Sequence, residues 1–279
     1  MNALQFTIVP PPEPLKGQVE CFRIAKYNGL GPLSIHVTPK AVPGLVFQHY
    51  SRHSALTSIT YNPERQHFMP TLFVYGAGVK PSIMNFSEAY TSIQVILKPH
   101  ALPALLGINA SLIHQGMALG VNEITRTHLD EQLLETDNQK QQIDLLTTFL
   151  THLLTLNGSR DRVIEESLRL IHHDVARVSV AALLEALSIS ERQFERRFRQ
   201  TVGVSPHAYI RVRRVNEAIR LIKHGQFRTL TEVAHHLHFY DQSHLIRDMQ
   251  TFAGLSPKHV ARNPVDFYHD PAGYSYLNK

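Results

Sequence analysis

The chain has 279 residues, 43% of them apolar, a single cysteine (Cys21) and a formal net charge of +5. That length allows two domains with substantial cores, and one cysteine excludes an intramolecular disulfide and fits a reducing cytoplasm. No basic-then-apolar segment opens the chain and no apolar run approaches about 18 residues, so neither a signal peptide nor a membrane helix is expected.

Short β-rich runs come first, at 21–27, 33–37, 44–50, 71–75 and 91–97, separated by Pro, Gly and Asn. Val42-Pro43-Gly44-Leu45-Val46-Phe47 reads as a turn feeding an apolar strand. Residues 1–122 are therefore expected to form a mostly β domain, barrel- or sandwich-like. A short apolar segment, 102–106, follows it. A helical bridge over 123–158 comes next, with an apolar stripe of Ile143, Leu146, Leu150, Leu153 and Leu154. Such a stripe is core packing or a dimer seam. The fold class expected is α+β multidomain: a β domain, this bridge, and an all-α unit over 159–265. The tail, 266–279, is rich in Pro, Asp, Tyr and Asn and is expected to pack loosely.

The all-α unit carries an internal repeat. Ser190-Glu-Arg-Gln-Phe194-Glu-Arg196-Arg-Phe198 runs on to Gly203-Val-Ser205-Pro206. Asp241-Gln-Ser-His-Leu245-Ile-Arg247-Asp-Met249 runs on to Gly254-Leu-Ser256-Pro257, 51 positions later. Each pair keeps its type: cap, apolar anchor, cation, second anchor, turn glycine, proline. Two copies are too few for a solenoid. Ser190 and Gln193 have capping-box spacing, Ile189 and Phe194 fall at staple positions, and Asp241 is an equally good N-cap. Apolar pairs four apart, Phe194/Phe198 and Leu245/Met249, face inward and leave the arginines outward. A shorter capped segment precedes each copy, beginning at Ser179 and at Thr229 with Glu232. A short helix, a tight turn and a second exposed helix make a helix-turn-helix, here present twice.

Between the modules a helix is expected from Ser205-Pro206 to about Lys223, stopping at His224-Gly225. Some 18 residues at about 1.5 Å each span about 27 Å. That could set two recognition helices about 34 Å apart, one turn of B-DNA, on one face of the duplex. Charge agrees: residues 1–159 hold 10 basic and 10 acidic side chains, 160–279 hold 18 and 13, and 190–228 alone hold 10 and 3. This is the electrostatic footprint of a nucleic-acid-binding half.

The strings "SISERQFERRFRQTVGVSPHAYIRVRRVNEAIRLI" and "EVAHHLHFYDQSHLIRDMQTFAGLSP" resemble the DNA-binding domain of the AraC/XylS family of bacterial transcription regulators. The likeness covers residues from about 160 to 265. It implies sequence-specific binding of double-stranded operator or promoter DNA, usually with activation through RNA polymerase. It also implies an N-terminal domain that senses a small molecule or mediates self-association as a homodimer. Base-reading positions carry over to Gln242, Ser243, Ile246 and Arg247 in the second module and to Arg192, Glu195 and Arg196 in the first. By chemistry, Arg196 and Arg247 suit guanine, Gln242 adenine and Ile246 a thymine methyl. Glu195 either accepts from cytosine or restrains Arg192 or Arg199. Arg211, Arg213, Arg214 and Lys258 are expected at phosphates, although Arg197 and Arg214 could instead pair with nearby glutamates. Three departures stand out: His238 replaces the usual glycine of the second turn, Met249 a phenylalanine, and Val260 the aromatic kept by Tyr209 in the first copy.

No enzyme, cofactor or metal is expected. His49/His53 and His235/His238 have tolerable metal spacing, but the latter pair lies inside a helix-turn-helix. Cys21, in an apolar strand, is poorly placed for the lowered pKa a nucleophile needs. Two alternatives remain open: a cupin-like or other enzyme activity in the β domain, and a low-specificity DNA organiser without a sensor.

Overall fold

The computed structural model describes residues 4–29, 31–60, 69–113, 117–262, 267–270 and 273–277. Its N-terminal strands are β1 (Leu4–Val9), β2 (Val19–Tyr27), β3 (Leu33–Pro39), β4 (Gly44–His49), β5 (Leu56–Thr60), β6 (Leu72–Tyr75), β7 (Ser82–Phe86), β8 (Tyr90–Leu97) and β9 (Ala118–Gly120). They form two antiparallel sheets, not a closed barrel. One has the order β1-β2-β8-β4-β6-β9, and the other contains β3-β7-β5.

The inner strands of the first sheet, β2, β8, β4 and β6, are buried on both faces, which is why they read as largely continuous apolar runs rather than alternating ones. In β4 and β6, Val46 and Phe73 point toward the second sheet, where they meet Ile35, Ile59 and Phe86. Leu45, Phe47, Leu72 and Val74 point the other way, onto a helical layer. That layer comprises α1 (Ala101–Leu106), α2 (Val121–Thr125), α3 (Leu129–Leu134) and α4 (Gln139–Asn157). Leu146, Leu150 and Leu153 of the α4 stripe are buried in this core, with Ile143 and Leu154 packed beside them. The stripe is core packing.

The helical unit follows as α5 (Arg162–His173), α6 (Val180–Leu187), α7 (Glu191–Val202), α8 (Pro206–Lys223), α9 (Leu230–His236), α10 (Gln242–Ala253) and α11 (Pro257–Arg262). It has one core, centred on Phe194, Phe198, Tyr209, Leu245 and Met249. Val260 is as fully buried as Tyr209, its counterpart in the repeat.

Two expectations need correction. The tail does not simply pack loosely: β10 (Phe267–Asp270) and β11 (Gly273–Leu277) pair with each other, and β11 adds to β3 across the register Tyr274↔Thr38 to Leu277↔Ile35. Tyr- and Phe-rich alternation suits a strand added at an edge that β3 would otherwise leave open. Strands β1, β5 and β7 were also not anticipated. They are short, and their polar alternate residues hide them until a partner strand is known.

Candidate nucleic-acid interface

Each module is held by local signals. Ser179 accepts from Ala182 N–H (3.1 Å), Thr229 from Glu232 N–H (3.2 Å), Ser205 from Ala208 N–H (3.1 Å) and Asp241 from His244 N–H (2.7 Å). Ser190 differs: it occupies the cap position of α7 without a side-chain cap bond, so the expected capping box does not form. The turns contain left-handed residues at Ser188 (φ 47°) and His238 (φ 54°), where an L side chain is strained.

Offset between the modules is not constant along their whole length. Before the turns it is 50: Ser179 matches Thr229, and the bond Ile189 N–H to Leu184 O (3.2 Å) matches Phe239 N–H to Ala234 O (2.9 Å). From the caps Ser190 and Asp241 onward it is 51. The additional residue is Tyr240, 91% exposed, immediately before the cap of α10. Laying the caps of both short helices side by side would have revealed it from the sequence.

On α7, Phe194 and Phe198 are fully buried in an edge-to-face pair with centroids 5.5 Å apart. Arg192 and Arg196 are exposed on the opposite face. Glu195 is held by Arg199 Nε at 2.8 Å. Arg197 pairs with an aspartate, not a glutamate: it donates to both oxygens of Asp161, at 2.8 and 2.6 Å. Asp161 also caps α5 by accepting from Ile164 N–H. Burial alone would raise the Asp161 carboxyl, but the Arg197 bonds and the cap outweigh it and hold it below its ordinary range.

On α10, Leu245 and Met249 are fully buried, while Gln242, Ser243 and Arg247 are exposed and Ile246 is half-buried. The Gln242 carboxamide oxygen accepts from Thr231 Oγ1 of α9 at 3.1 Å.

Connecting helix α8 spans Pro206–Lys223, as its start and stop signals indicate. Two of its arginines are held by other parts of the helical unit. Arg211 donates to both oxygens of Asp248 on α10 (3.1 and 2.5 Å) and lies 4.7 Å over the Phe252 ring. Arg214 is half-buried and donates to the Val175 and Val178 carbonyls at 3.2 and 3.1 Å, again with no glutamate. Arg213 is half-exposed and Lys258, at the start of α11, is exposed. Tyr209 is fully buried and hydrogen-bonds His172 at 2.8 Å. Asp161 and Asp248, which orient these arginines, were not foreseen. Each lies 36 or 37 residues from its partner, and sequence spacing carries no signal at that range.

Among the described residues no three His, Cys, Asp or Glu side chains converge as a metal site, and no helix is long and apolar enough to cross a membrane. Cys21 is buried.

Comparison with known proteins agrees with this geometry. A family model described as a helix-turn-helix domain matches residues 183–263, and a domain of unknown function (DUF6597) matches residues 7–117. A "Putative AraC-like transcription regulator" from Streptomyces lividans is 30% identical over 39% of this chain and 36% of its own length. A protein of the same description from Streptomyces antibioticus is 27% identical over 60% of this chain and 54% of its own. The chain thus spans less than two thirds of either relative. Among solved structures, ToxT from Vibrio cholerae aligns over 87% of this chain and 96% of its own, at 11% identity and a TM-score of 0.47.

Proposed function

We propose, on the premise that residues 183–263 are an AraC-type helix-turn-helix domain, that the chain is a sequence-specific transcription regulator reading two segments of one duplex. The observation that carries this is the pair of recognition helices, α7 and α10, each buried by an apolar pair and presenting a polar, arginine-bearing face.

Arg196 and Arg247 are assigned to guanine, with Gln242 and Ile246 at adenine and a thymine methyl. Arg192 and Ser243 complete the exposed set. Glu195, restrained by Arg199, shapes the first face more than it reads a base. Arg213 and Lys258 are assigned to phosphates. Arg211 and Arg214, engaged by Asp248 and by carbonyls, are assigned to positioning the helices. Contact with RNA polymerase at a promoter belongs to the same reading.

The β domain supplies the regulatory part. Between its sheets lies a cavity of about 90 Å³, partly open to solvent. Ile35, Val46, Phe73 and Met84 line it, with Lys40 and Lys80 among the polar groups. An apolar wall with a few convergent cations suits a small, largely apolar molecule bearing an acidic group.

Selection of bound sequences from a random duplex library by the full-length protein tests the reading, repeated with Arg196→Ala and Arg247→Ala. Two short blocks about one helical turn apart are expected, each losing definition in one variant. Equal enrichment of all sequences would leave the low-specificity organiser in its place.

A further inference from the structure

Gly203 and Gly254 occupy equivalent places in the two modules, each ending a recognition helix in the left-handed region (φ +93° and +68°). Both are also points where the N-terminal domain touches the helical unit. A methyl group on Gly203 would lie 3.1 Å from the Ala110 carbonyl oxygen, and one on Gly254 would lie 3.1 Å from Pro81 Cγ. The two contacts come from different layers. Ala110 belongs to the helical layer, whose α1 and 3-10 turn Ala110–Leu112 pack on α7. Pro81 immediately precedes β7 of the second sheet, whose β3 packs on α10.

The segment holding α10 has two sides. Gly78, Lys80 and Ser82 line the cavity, while Val79 packs into the helical unit's core and Pro81 meets Gly254. Alternate residues of this connection between β6 and β7 thus meet a different neighbour on each side. The β3–β4 turn also meets both. Pro39, Lys40, Ala41 and Val42 all line the cavity there, and Ala41, fully buried at φ 56°, is shared with the helical unit's core. The Pro39 carbonyl accepts from Asn216 Nδ2 of α8 at 2.8 Å.

We infer that the N-terminal domain acts as a caliper across the two recognition helices. Its helical layer holds α7 and its cavity wall holds α10, so a molecule in the cavity changes the placement of one helix relative to the other. The inference deepens the proposed function and rests on its reading of α7 and α10 as recognition helices. A competing constraint exists within the helical unit, since Arg211 and Asp248 fasten α10 to α8.

Spin labels at Gln193→Cys and Gln250→Cys, both exposed, measure the relation of the helices in the full chain by pulsed dipolar spectroscopy. Cys21 is buried and does not label. Loosening the cavity wall with Val79→Ser and Pro81→Ala is expected to shift or broaden the distance by about 2 Å, the scale of helix displacements in switching proteins. An unchanged distribution overturns the caliper and leaves α8 as the sole spacer. If the double variant melts early, Asn216→Ala takes its place; it releases the Pro39 carbonyl and, within α8, the Val212 carbonyl. An anilinonaphthalene sulfonate dye, apolar with one acidic group, probes the cavity. Saturable binding that moves the distance in the wild type but not in the loosened variant supports the wall as the lever, and binding without movement overturns it. Absence of dye binding counts against the cavity reading alone, because the wall variants still decide the caliper. A distance that responds in a protein enriching no DNA motif would remove the sequence-specific reading and leave only the mechanical coupling of the cavity wall to α7 and α10.

Discussion

Arg211 and Asp248 form a two-point ion pair in which the Asp248 side chain is 1% exposed and the Arg211 side chain 47% exposed. The pair ties the second recognition helix to the connecting helix, and Phe252 under the guanidinium extends the contact. Stabilisation of the charged form by Asp248 raises the Arg211 pKa further. Nearby, His244 Nε2 lies 3.6 Å from the same carboxylate.

Removal of the cation is therefore costly. Arg211→Ala leaves a buried carboxylate without its two-point partner, and a loss of about 3 kcal/mol is expected. Replacement of both partners, Arg211→Met with Asp248→Leu, is expected to recover most of that loss. Denaturant titration of the single and double variants decides it. A loss below about 0.5 kcal/mol for Arg211→Ala would mark the pair as an ordinary surface contact.

Phosphate contacts have a different signature. Arg213→Ala and Lys258→Ala are each expected to weaken all sequences alike and reduce the slope of log affinity against log salt by about 1. Arg211→Ala should lower affinity with little change in slope. Binding isotherms across a salt series on one selected duplex and one unrelated duplex separate the two roles.

Acid sensitivity is expected at His172. Burial of its bonding end, with Arg213 close by, pushes its pKa down from 6.5 to about 4. Its Nε2 bonds the buried Tyr209 hydroxyl, which burial pushes up to about 12. A folded pKa below the unfolded one means stability is complete above 6.5 and is lost as pH falls toward 4. The residue as a whole is exposed, so screening reduces the loss to about 1 kcal/mol. Comparison of wild type with His172→Asn by denaturation across that interval checks it. Parallel curves would show that the ring binds its proton equally in the folded and unfolded states, so that its pKa is not shifted by folding.

Strain at the second turn is testable by relief. His238 sits at φ 54°, where glycine has no side-chain penalty. His238→Gly is expected to stabilise the chain by about 0.5–1 kcal/mol, since part of the gain is offset by the freer unfolded chain. Thermal melts give the sign directly. The reverse change at Gly225 (φ +62°), where an added methyl meets nothing within 4 Å, should cost a similar amount through conformation alone.

The amino-acid sequence by itself determined the parts governed by neighbours within a turn or two of helix. The caps at Ser179, Thr229, Ser205 and Asp241 form where Ser, Thr and Asp precede an apolar run. Phe194/Phe198 and Leu245/Met249 are buried because residues four apart share a helix face. The outward positions of Arg192, Arg196, Gln242, Ser243 and Arg247 follow from the same geometry. These interactions need no partner from elsewhere in the chain, so residue type and spacing suffice.

Tertiary structure alone decided what each outward or inward group meets. Arg197 and Arg211 looked like further surface cations until Asp161 and Asp248 arrived from 36 and 37 residues away. The Ser190 cap was legible in the sequence, and the fold left its side chain without the bond. Strands β1, β5 and β7, and the edge that takes β11, acquire their identity from the strand beside them. Asn216 and Pro39, 177 positions apart, show the limit most plainly. A hydrogen bond between domains depends on how two cores dock, and that depends on surface shape summed over many residues, which no local pattern records.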